Sequence, residues 1–143
     1  MSEPLDRGRI ALGVRQPWAE LIVRGVKTLE VRSRPTEQRG PIYIYAAKKW
    51  AEHDFADGVA SRHGVDRDAV PYGRVVGAVT VTGCREARAE DVAASLVPAD
   101  YLREAWVWEL ADATRLSEPV KPRFLPYGVW FYPLKRRPQN SPG

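Results

Sequence analysis

The order of the β-type segments along this chain constrains its fold more than any other feature. Period-two or β-rich patterns mark residues 10–14, 27–32, 41–47, 75–81, 106–110, 114–116 and 128–132. Helical patterns mark residues 17–24, 50–63, 89–96 and 98–105. The strands do not alternate regularly with helices, so we predict an α+β fold on a small mixed or antiparallel β-barrel with helices packed over its opening. Gly77, inside the most regular strand, indicates the bulge or bend that a small barrel needs.

The length of 143 residues fits a single domain with a full hydrophobic core. We expect a flexible N-terminus at residues 1–8, the domain at 9–134 and a basic disordered tail at 135–143. No stretch approaches the roughly 20 apolar residues of a membrane helix, and the first residues lack the apolar part of a signal peptide. We therefore expect no membrane contact and a cytoplasmic location. The single cysteine, Cys84, excludes an intramolecular disulfide and any zinc site built from several cysteines.

The net charge of +4 hides a strong asymmetry along the chain. Residues 1–49 carry ten basic and five acidic side chains, residues 50–118 carry seven and thirteen, and residues 119–143 carry five and none. If the fold brings the two basic ends together, they form a basic surface that attracts polyanions. Of the 22 basic residues 17 are arginine, which favours bidentate contact with phosphate, although an Ala/Arg/Gly/Pro-rich genome would give the same bias. We therefore hypothesise that the partner is a polyanion such as nucleic acid.

A short helix is expected at residues 17–24. Pro17 suits the first position of a helix, and Gly25 suits its end. The N-terminus of a helix presents unpaired N–H groups and a positive dipole end, and here it lies beside Arg15 and Gln16. We therefore predict a site for a phosphate or carboxylate at this point. Trp18 lies on the helix face expected to be buried, so it is either a core residue or a ring for base stacking.

The period changes to two along residues 27–32. Leu29 and Val31 point to one face, whereas Glu30 and Arg32 point to the other and face outward or into a cleft. In the next strand, two tyrosines alternate with two isoleucines, so one pair is core and the other is exposed or in the cleft. These residues are Ile42, Tyr43, Ile44 and Tyr45.

Several classes of enzyme are excluded by missing motifs. The chain has no glycine-rich dinucleotide or phosphate loop and no serine nucleophile elbow. His53 and His63 would point about 280° apart on a helix, so we interpret both as solvated helix residues and not as a ligand pair. We predict no metal site and no cofactor.

One motif is specific enough to suggest a family. Residues 16–32 read Q-P-W-A-x-x-I-x-x-G-x-K-x-x-E-x-R, and R-G-P at residues 39–41 opens a strand that ends in A-x-K. This pattern resembles the ASCH domain of the PUA-like superfamily. The resemblance implies a small PUA-like β-barrel with a cleft lined by Lys27, Glu30 and Arg32. It also implies binding of nucleic acid, mainly RNA, while some members hydrolyse RNA or acetylated cytidine.

The motif and the charge pattern together give a set of candidate site residues. As nucleic-acid contacts we predict Arg15, Gln16, Pro17, Trp18, Lys27, Glu30, Arg32, Arg34, Arg39, Lys48 and Lys49. In this reading the basic residues hold phosphate, and Glu30 accepts a hydrogen bond from an exocyclic amine of a base. Glu30 is alternatively a purely structural partner of Lys27 or Arg32.

The predicted function is a nucleic-acid-binding domain that holds RNA or DNA, as a single-stranded segment or a nucleotide, in a basic cleft between the first helix and the barrel. The alternative is a hydrolase of RNA or of a modified nucleoside, similar to a ribonuclease or an N4-acetylcytidine amidohydrolase. In it Lys27 is the general base and Glu30 is an acid/base or orienting group. In the acetylcytidine-hydrolysing branch of the family a threonine occupies the position of Glu30. A third option is that the cleft binds a small acidic metabolite or a protein. The oligomeric state is left open.

Overall fold

A computed structural model describes residues 5–136 of the chain. Within this range the regular elements are β1 (Ala11–Gln16), α1 (Trp18–Val23), β2 (Leu29–Arg32), β3 (Gly40–Trp50), α2 (Ala56–Arg62), β4 (Arg74–Glu86), α3 (Val92–Ser95), β5 (Trp106–Val120) and β6 (Trp130–Phe131). Two single turns of 3-10 helix, Ala89–Asp91 and Ala99–Leu102, lie on either side of α3.

The strands form one mixed sheet in the order β2-β5-β4-β3-β1-β6. Only β1 and β3 run parallel among these neighbours, and every other adjacent pair is antiparallel. The sheet curls into a half-barrel, and α1 packs against β1, β3, β4 and β5. The predicted α+β class and the PUA-like barrel with a helix over its opening are confirmed.

Gly77 marks the bend in the longest part of the sheet. The pairing register of β4 shifts between Val75 and Gly77 against both neighbouring strands. A β-carbon added at Gly77 would lie 2.8 Å from a methyl group of Val23 on α1, and still closer to the carbonyl oxygen of Thr114 on β5. The predicted bulge is therefore present, and it lets the first helix approach the backbone of the sheet.

At residues 42–45 the side chains on both faces of β3 are buried, but in different surroundings. Ile42 and Ile44 belong to the main core beneath α1. Tyr43 and Tyr45 lie in a second apolar cluster on the outer face of the sheet, together with Ala11, Val75, Leu116, Phe131 and Leu134. The isoleucines are thus the core pair, and of the tyrosines Tyr45 also lines the cleft described below, as one of the two alternatives allowed. Tyr43 is neither exposed nor in the cleft, because chain segments near both ends of the domain cover it.

The segment at residues 50–63 is not one helix, as its spacing suggested. Trp50 still belongs to β3, where it pairs with Gln16, and the N–H of Ala51 donates to the carbonyl oxygen of Gln16 at 2.6 Å. This pairing keeps the chain extended, and α2 begins only at Ala56.

The other helix and strand boundaries also differ from the pattern. The predicted helices at 89–96 and 98–105 shrink to α3 and the two 3-10 turns, because Leu96 adopts a left-handed conformation with φ of 61° and Pro98 follows it. The two strands expected at 106–110 and 114–116 form the single strand β5, and the last strand is limited to β6.

The predicted termini are only partly described. Leu5 packs against the outer apolar cluster, and the N–H of Asp6 donates to the hydroxyl of Tyr43 at 2.6 Å. Residues 1–4 and 137–143 lie outside the described residues, so most of the tail proposed at 135–143 does as well.

Candidate functional site

Lys27 occupies a buried position at the junction of α1 and β2. Gly25 takes a φ of 77° just after the helix, and the N–H groups of Val26 and Lys27 both donate to the carbonyl oxygen of Leu21. This tight turn directs the lysine inward. Its side chain is only 2% exposed, and Nζ donates to the carbonyl oxygen of Ser95 at 2.5 Å.

Glu30 and Arg32 extend the polar group along β2. Glu30 Oε1 lies 3.8 Å from Lys27 Nζ, and Oε2 accepts from Arg32 Nε at 2.9 Å and lies 2.7 Å from Arg32 Nη2. Arg32 Nη2 also donates to the carbonyl oxygen of Gly13 on β1 at 3.1 Å. The three charged side chains therefore form a continuous network, called here the Lys27–Glu30–Arg32 network, across the gap between β2 and β1.

Aromatic rings pack against both cations of this network. Lys27 Nζ lies 5.1 Å from the ring centroid of Trp18, and the guanidinium carbon of Arg32 lies 5.4 Å from that of Trp108. The Trp108 ring stacks on Trp130 at 5.6 Å, with an interplanar angle of 11°. Each cation of the network thus packs against one aromatic ring.

Burial changes the proton affinity of Lys27. The loss of solvation lowers the pKa of its ammonium group from 10.5 to about 8, although Glu30 acts to raise it and Arg32 adds to the lowering. Lys27 therefore titrates much closer to neutral pH than an exposed lysine does.

The network opens on a cleft of about 1030 Å³. One side of the cleft is formed by β1, β2 and α1, and the other by residues 51–55, residues 97–105 and the loop at residues 126–129. Its basic lining residues are Arg15, Lys27, Arg32 and Arg103, and its acidic ones are Glu30, Glu52, Asp54 and Glu104.

An aromatic cluster lines one wall of the cleft. The rings of His53 and Phe55 stack at 4.8 Å with an interplanar angle of 10°. Trp18 lies 5.7 Å from Phe55, and Tyr101 lies 4.8 Å from it in a T-shaped contact. We call Trp18, His53, Phe55 and Tyr101 the aromatic wall. His53 is exposed to solvent, as expected, but it precedes α2, so its placement in a helix is wrong.

Five of the predicted contact residues line the cleft: Arg15, Trp18, Lys27, Glu30 and Arg32. Arg15 is partly exposed at the rim, where it lies 3.8 Å from Glu52. Trp18 combines both of the roles considered for it, because it belongs to the main core and also lines the cleft.

Gln16 and Pro17 are fully buried and do not line the cleft. Gln16 Oε1 accepts from the N–H of Glu20, and Nε2 donates to the carbonyl oxygen of Pro71 at 2.9 Å. The predicted anion site at the start of α1 is therefore wrong: the helix has six residues, and the Gln16 side chain takes one of its N–H groups.

Arg34, Arg39, Lys48 and Lys49 also lie away from the cleft lining. Arg39 Nη1 donates to the carbonyl oxygens of Thr36 and Gln38. Lys48 and Lys49 line a second depression of about 990 Å³, which borders the cleft at residues 51–54.

Several parts of the site left no signal in the sequence. The carbonyl oxygens of Gly13 and Ser95 act through the backbone, which any residue type could provide. Phe55 and Tyr101 come together only through the fold, since they are far apart along the chain. Nothing in the sequence indicated that the ring of Trp108 packs against Arg32.

Two further observations concern residues 5–136 alone. In that part of the chain no group of three or more histidine, cysteine, aspartate or glutamate side chains is arranged to hold a metal ion. No helix there is both long and apolar enough to cross a bilayer.

Individual proteins resemble this chain in part or in fold. Human Activating signal cointegrator 1 is 50% identical over 42 residues, which make up 29% of this chain and 7% of that protein. The chain thus matches only a small part of the length of this relative. The crystal structure of ASCH from Zymomonas mobilis has a TM-score of 0.59 at 18% identity and covers 89% of this chain and 88% of its own. A substituted variant of that protein gives a TM-score of 0.56 at 19% identity, with 89% of each chain covered.

The likeness to the solved structures, at this low identity, concerns the fold. The likeness in sequence is more extensive, because the family model of the ASCH domain matches residues 12–120. That range includes the whole Lys27–Glu30–Arg32 network and both carbonyl groups that hold it. The chain therefore belongs to the ASCH domain family, within the PUA-like superfamily.

Proposed function

We propose that this domain binds nucleic acid and takes one nucleotide into the cleft beside Lys27, Glu30 and Arg32. The observation that carries the proposal is the buried Lys27–Glu30–Arg32 network at the base of a cleft with an aromatic wall. Buried charges are costly unless they are paired, and this network also lines an open cavity where a polar ligand can reach it.

Glu30 is the group that recognises the base. Its Oε2 atom is taken by Arg32, whereas Oε1 lies 3.8 Å from Lys27 Nζ, beyond hydrogen-bond distance. An exocyclic amine of a base supplies the donor that such a carboxylate oxygen accepts. Phe55 and His53 of the aromatic wall offer ring faces on which a base stacks, a contact worth about 1–3 kcal/mol.

Arg15 and Arg32 are the groups that meet phosphate. The Arg15 side chain is 45% exposed at the rim, so it reaches a phosphate without leaving the protein surface. The contacts of Arg32 with Glu30 and Gly13 use Nε and Nη2, which leaves Nη1 for a ligand. Arginine favours phosphate because its planar guanidinium donates two parallel hydrogen bonds.

The family relationship supports this assignment in general terms. The relative with the matching 42-residue segment is named as a cointegrator of activating signals, which is compatible with work in assemblies that contain nucleic acid or other proteins. The cleft residues give the narrower proposal that nucleic acid itself is the ligand.

Fluorescence anisotropy with labelled single-stranded RNA and DNA oligonucleotides tests this function. We expect binding that weakens as salt is raised, because phosphate contacts release counterions. Replacing Phe55→Leu should weaken binding about tenfold through lost stacking, and Glu30→Gln should weaken it to a similar extent. Arg62→Gln, at the end of α2 and away from the cleft lining, is the matched control. Binding that is absent at low salt, or that none of the cleft variants changes, would contradict the proposal.

A hydrolase is the second candidate, and the lowered pKa of Lys27 favours it. A lysine with a pKa of about 8 is partly neutral near pH 7.5, so it could take a proton from a nucleophile, with Glu30 as its partner 3.8 Å away. Incubation with RNA and with N4-acetylcytidine, followed by chromatography of the products, tests this activity. Turnover lost in Lys27→Met and retained in Lys49→Met would establish it, whereas no turnover by the wild type would refute it.

A further inference from the structure

Two distant parts of the chain meet on the outer face of the sheet, opposite α1. Leu134 is buried there in the outer apolar cluster, and Leu5 and Val120 pack against the same cluster. The N–H groups of Arg123 and Phe124 donate to the carbonyl oxygen of Pro133, which fixes residues 120–136 in a closed loop. Residues 5–9 and 120–136 therefore form one continuous surface.

This surface is strongly basic. Its exposed or half-exposed cations are Arg7, Arg9, Lys121, Arg123, Lys135 and Arg136. The acidic residues beside them are Asp6, which lies 3.9 Å from Arg9, and the exposed Glu118 on β5. Lys135 and Arg9 also pack over the rings of Tyr132 and Tyr43. We call these six cations the terminal basic surface.

The same loop connects the terminal basic surface to the cleft. Pro126, Gly128 and Val129 line the cleft, and the carbonyl oxygen of Val129 accepts from the N–H of Gly13 at 3.0 Å. Between Arg123 and Val129 the chain spans at most about 22 Å even when fully extended. Arg123 therefore lies no farther than this from the cleft lining at Val129.

A ligand that reaches both places must be long and carry repeated negative charge. A free nucleotide fills only the cleft, whereas a strand carries a phosphate on every unit. Cations that lie outside a recognition site typically hold such phosphates and set the path of the strand, without reading its sequence.

We propose that the terminal basic surface is a second contact site for nucleic acid and holds the backbone phosphates of the strand whose nucleotide occupies the cleft, an inference that rests on the proposed function. The cleft reads one nucleotide, and Lys121 and Arg123 bind the phosphates that follow it. The domain consequently binds a strand more tightly than it binds the corresponding single nucleotide, and this gain depends on salt.

The double variant Lys121→Gln/Arg123→Gln tests the proposal, with Arg62→Gln/Arg88→Gln as the matched control from the acidic part of the chain. Binding of a labelled 12-nucleotide single strand is measured by anisotropy between 50 and 200 mM salt. The slope of log K against log salt should fall by about 1.4 in the double variant, because two single-strand phosphate contacts are lost. The slope of the control should not change, and binding of a mononucleotide should be equal in all three proteins.

The other outcomes overturn either this proposal, or the proposed function, or both. An unchanged slope in Lys121→Gln/Arg123→Gln, with strand binding still weakened by Phe55→Leu, overturns the terminal basic surface and keeps the cleft. A reduced slope, with Phe55→Leu and Glu30→Gln both silent, keeps the surface and overturns the cleft. Absence of strand binding by the wild type overturns both, as does binding of anionic lipid vesicles in place of oligonucleotides.

Discussion

Replacing Lys27→Met tests how burial controls the charge at the base of the cleft. Methionine keeps much of the length of the side chain and removes the titrating group. In the folded wild type the pKa of Lys27 is about 8, against an ordinary value of 10.5. Between these two pH values the unfolded chain binds more protons than the folded one, so the stability of the wild type rises with pH. Below pH 8 Lys27 is protonated in the folded protein as well, and burial of its charge then lowers the free energy of unfolding by the full amount that the pKa difference sets.

The size of this effect follows from the difference in pKa. One pKa unit corresponds to about 1.4 kcal/mol, so the full difference amounts to about 3 kcal/mol. Between pH 7 and 9.5 the wild type should gain about 2 kcal/mol relative to Lys27→Met. Burial raises the pKa of Tyr45 and Tyr72, but both proteins contain these tyrosines, so their effect on stability cancels in the comparison.

Urea unfolding followed by tryptophan fluorescence measures the difference, since the chain has five tryptophans. Lys49→Met, at an exposed position on β3, is the control and should parallel the wild type at every pH. A direct NMR titration of the Lys27 side chain gives an independent pKa. If the curves of wild type and Lys27→Met stay parallel and the NMR titration lies near 10.5, the attraction of Glu30 balances burial and our reasoning is wrong.

Three further predictions concern other parts of the molecule. Gly77→Ala should lower the free energy of unfolding by about 1–3 kcal/mol in urea titrations, because the new methyl group meets Val23 and the backbone of β5; unchanged stability would show that the strands can separate there. Arg115→Ala should cost about 1 kcal/mol by the same assay, because the Arg115 side chain is about half exposed. Burial raises the pKa of Glu20, but the hydrogen bonds from Arg115 and Arg24 outweigh it and lower that pKa, so the substitution should also flatten the loss of stability below pH 4.5; an unaltered acid transition would contradict this. Trp108→Phe should destabilise the fold by about 1 kcal/mol in thermal unfolding by removing the hydrogen bond to the carbonyl oxygen of Arg34, and no change would mean that water replaces it.

The sequence predicted best those elements whose backbone conformation is determined by their own residues and not by distant contacts. The first helix has a proline before it and a glycine after it, and the pattern placed it within one residue of α1. The glycine in residues 75–81 likewise predicted the bulge at Gly77. In both cases the signal is local, because proline and glycine restrict or release the backbone by themselves.

The parts that were missed depend on contacts between distant segments. Trp50 and Ala51 lie in a helical pattern but stay extended because the backbone of Gln16 pairs with them. Tyr43 and Tyr45 are buried only because residues 5–9 and 131–134 cover them. The cleft shows the same division. The motif placed Lys27, Glu30 and Arg32 together, whereas the opposite side is formed by residues 51–55, 97–105 and 126–129, which carry no motif.

The bond from Arg32 to the carbonyl oxygen of Gly13 has a mechanical consequence. In the described part of the chain β2 and β6 are the two edges of the sheet, and no backbone ladder joins them. The side chain of Arg32 on β2 crosses this gap to Gly13 on β1, where a backbone ladder would otherwise be needed. The stacked rings of Trp108 on β5 and Trp130 on β6 lie beside it. A rotation of Arg32 would break this link between β2 and β1 without breaking any hydrogen bond of the backbone ladders.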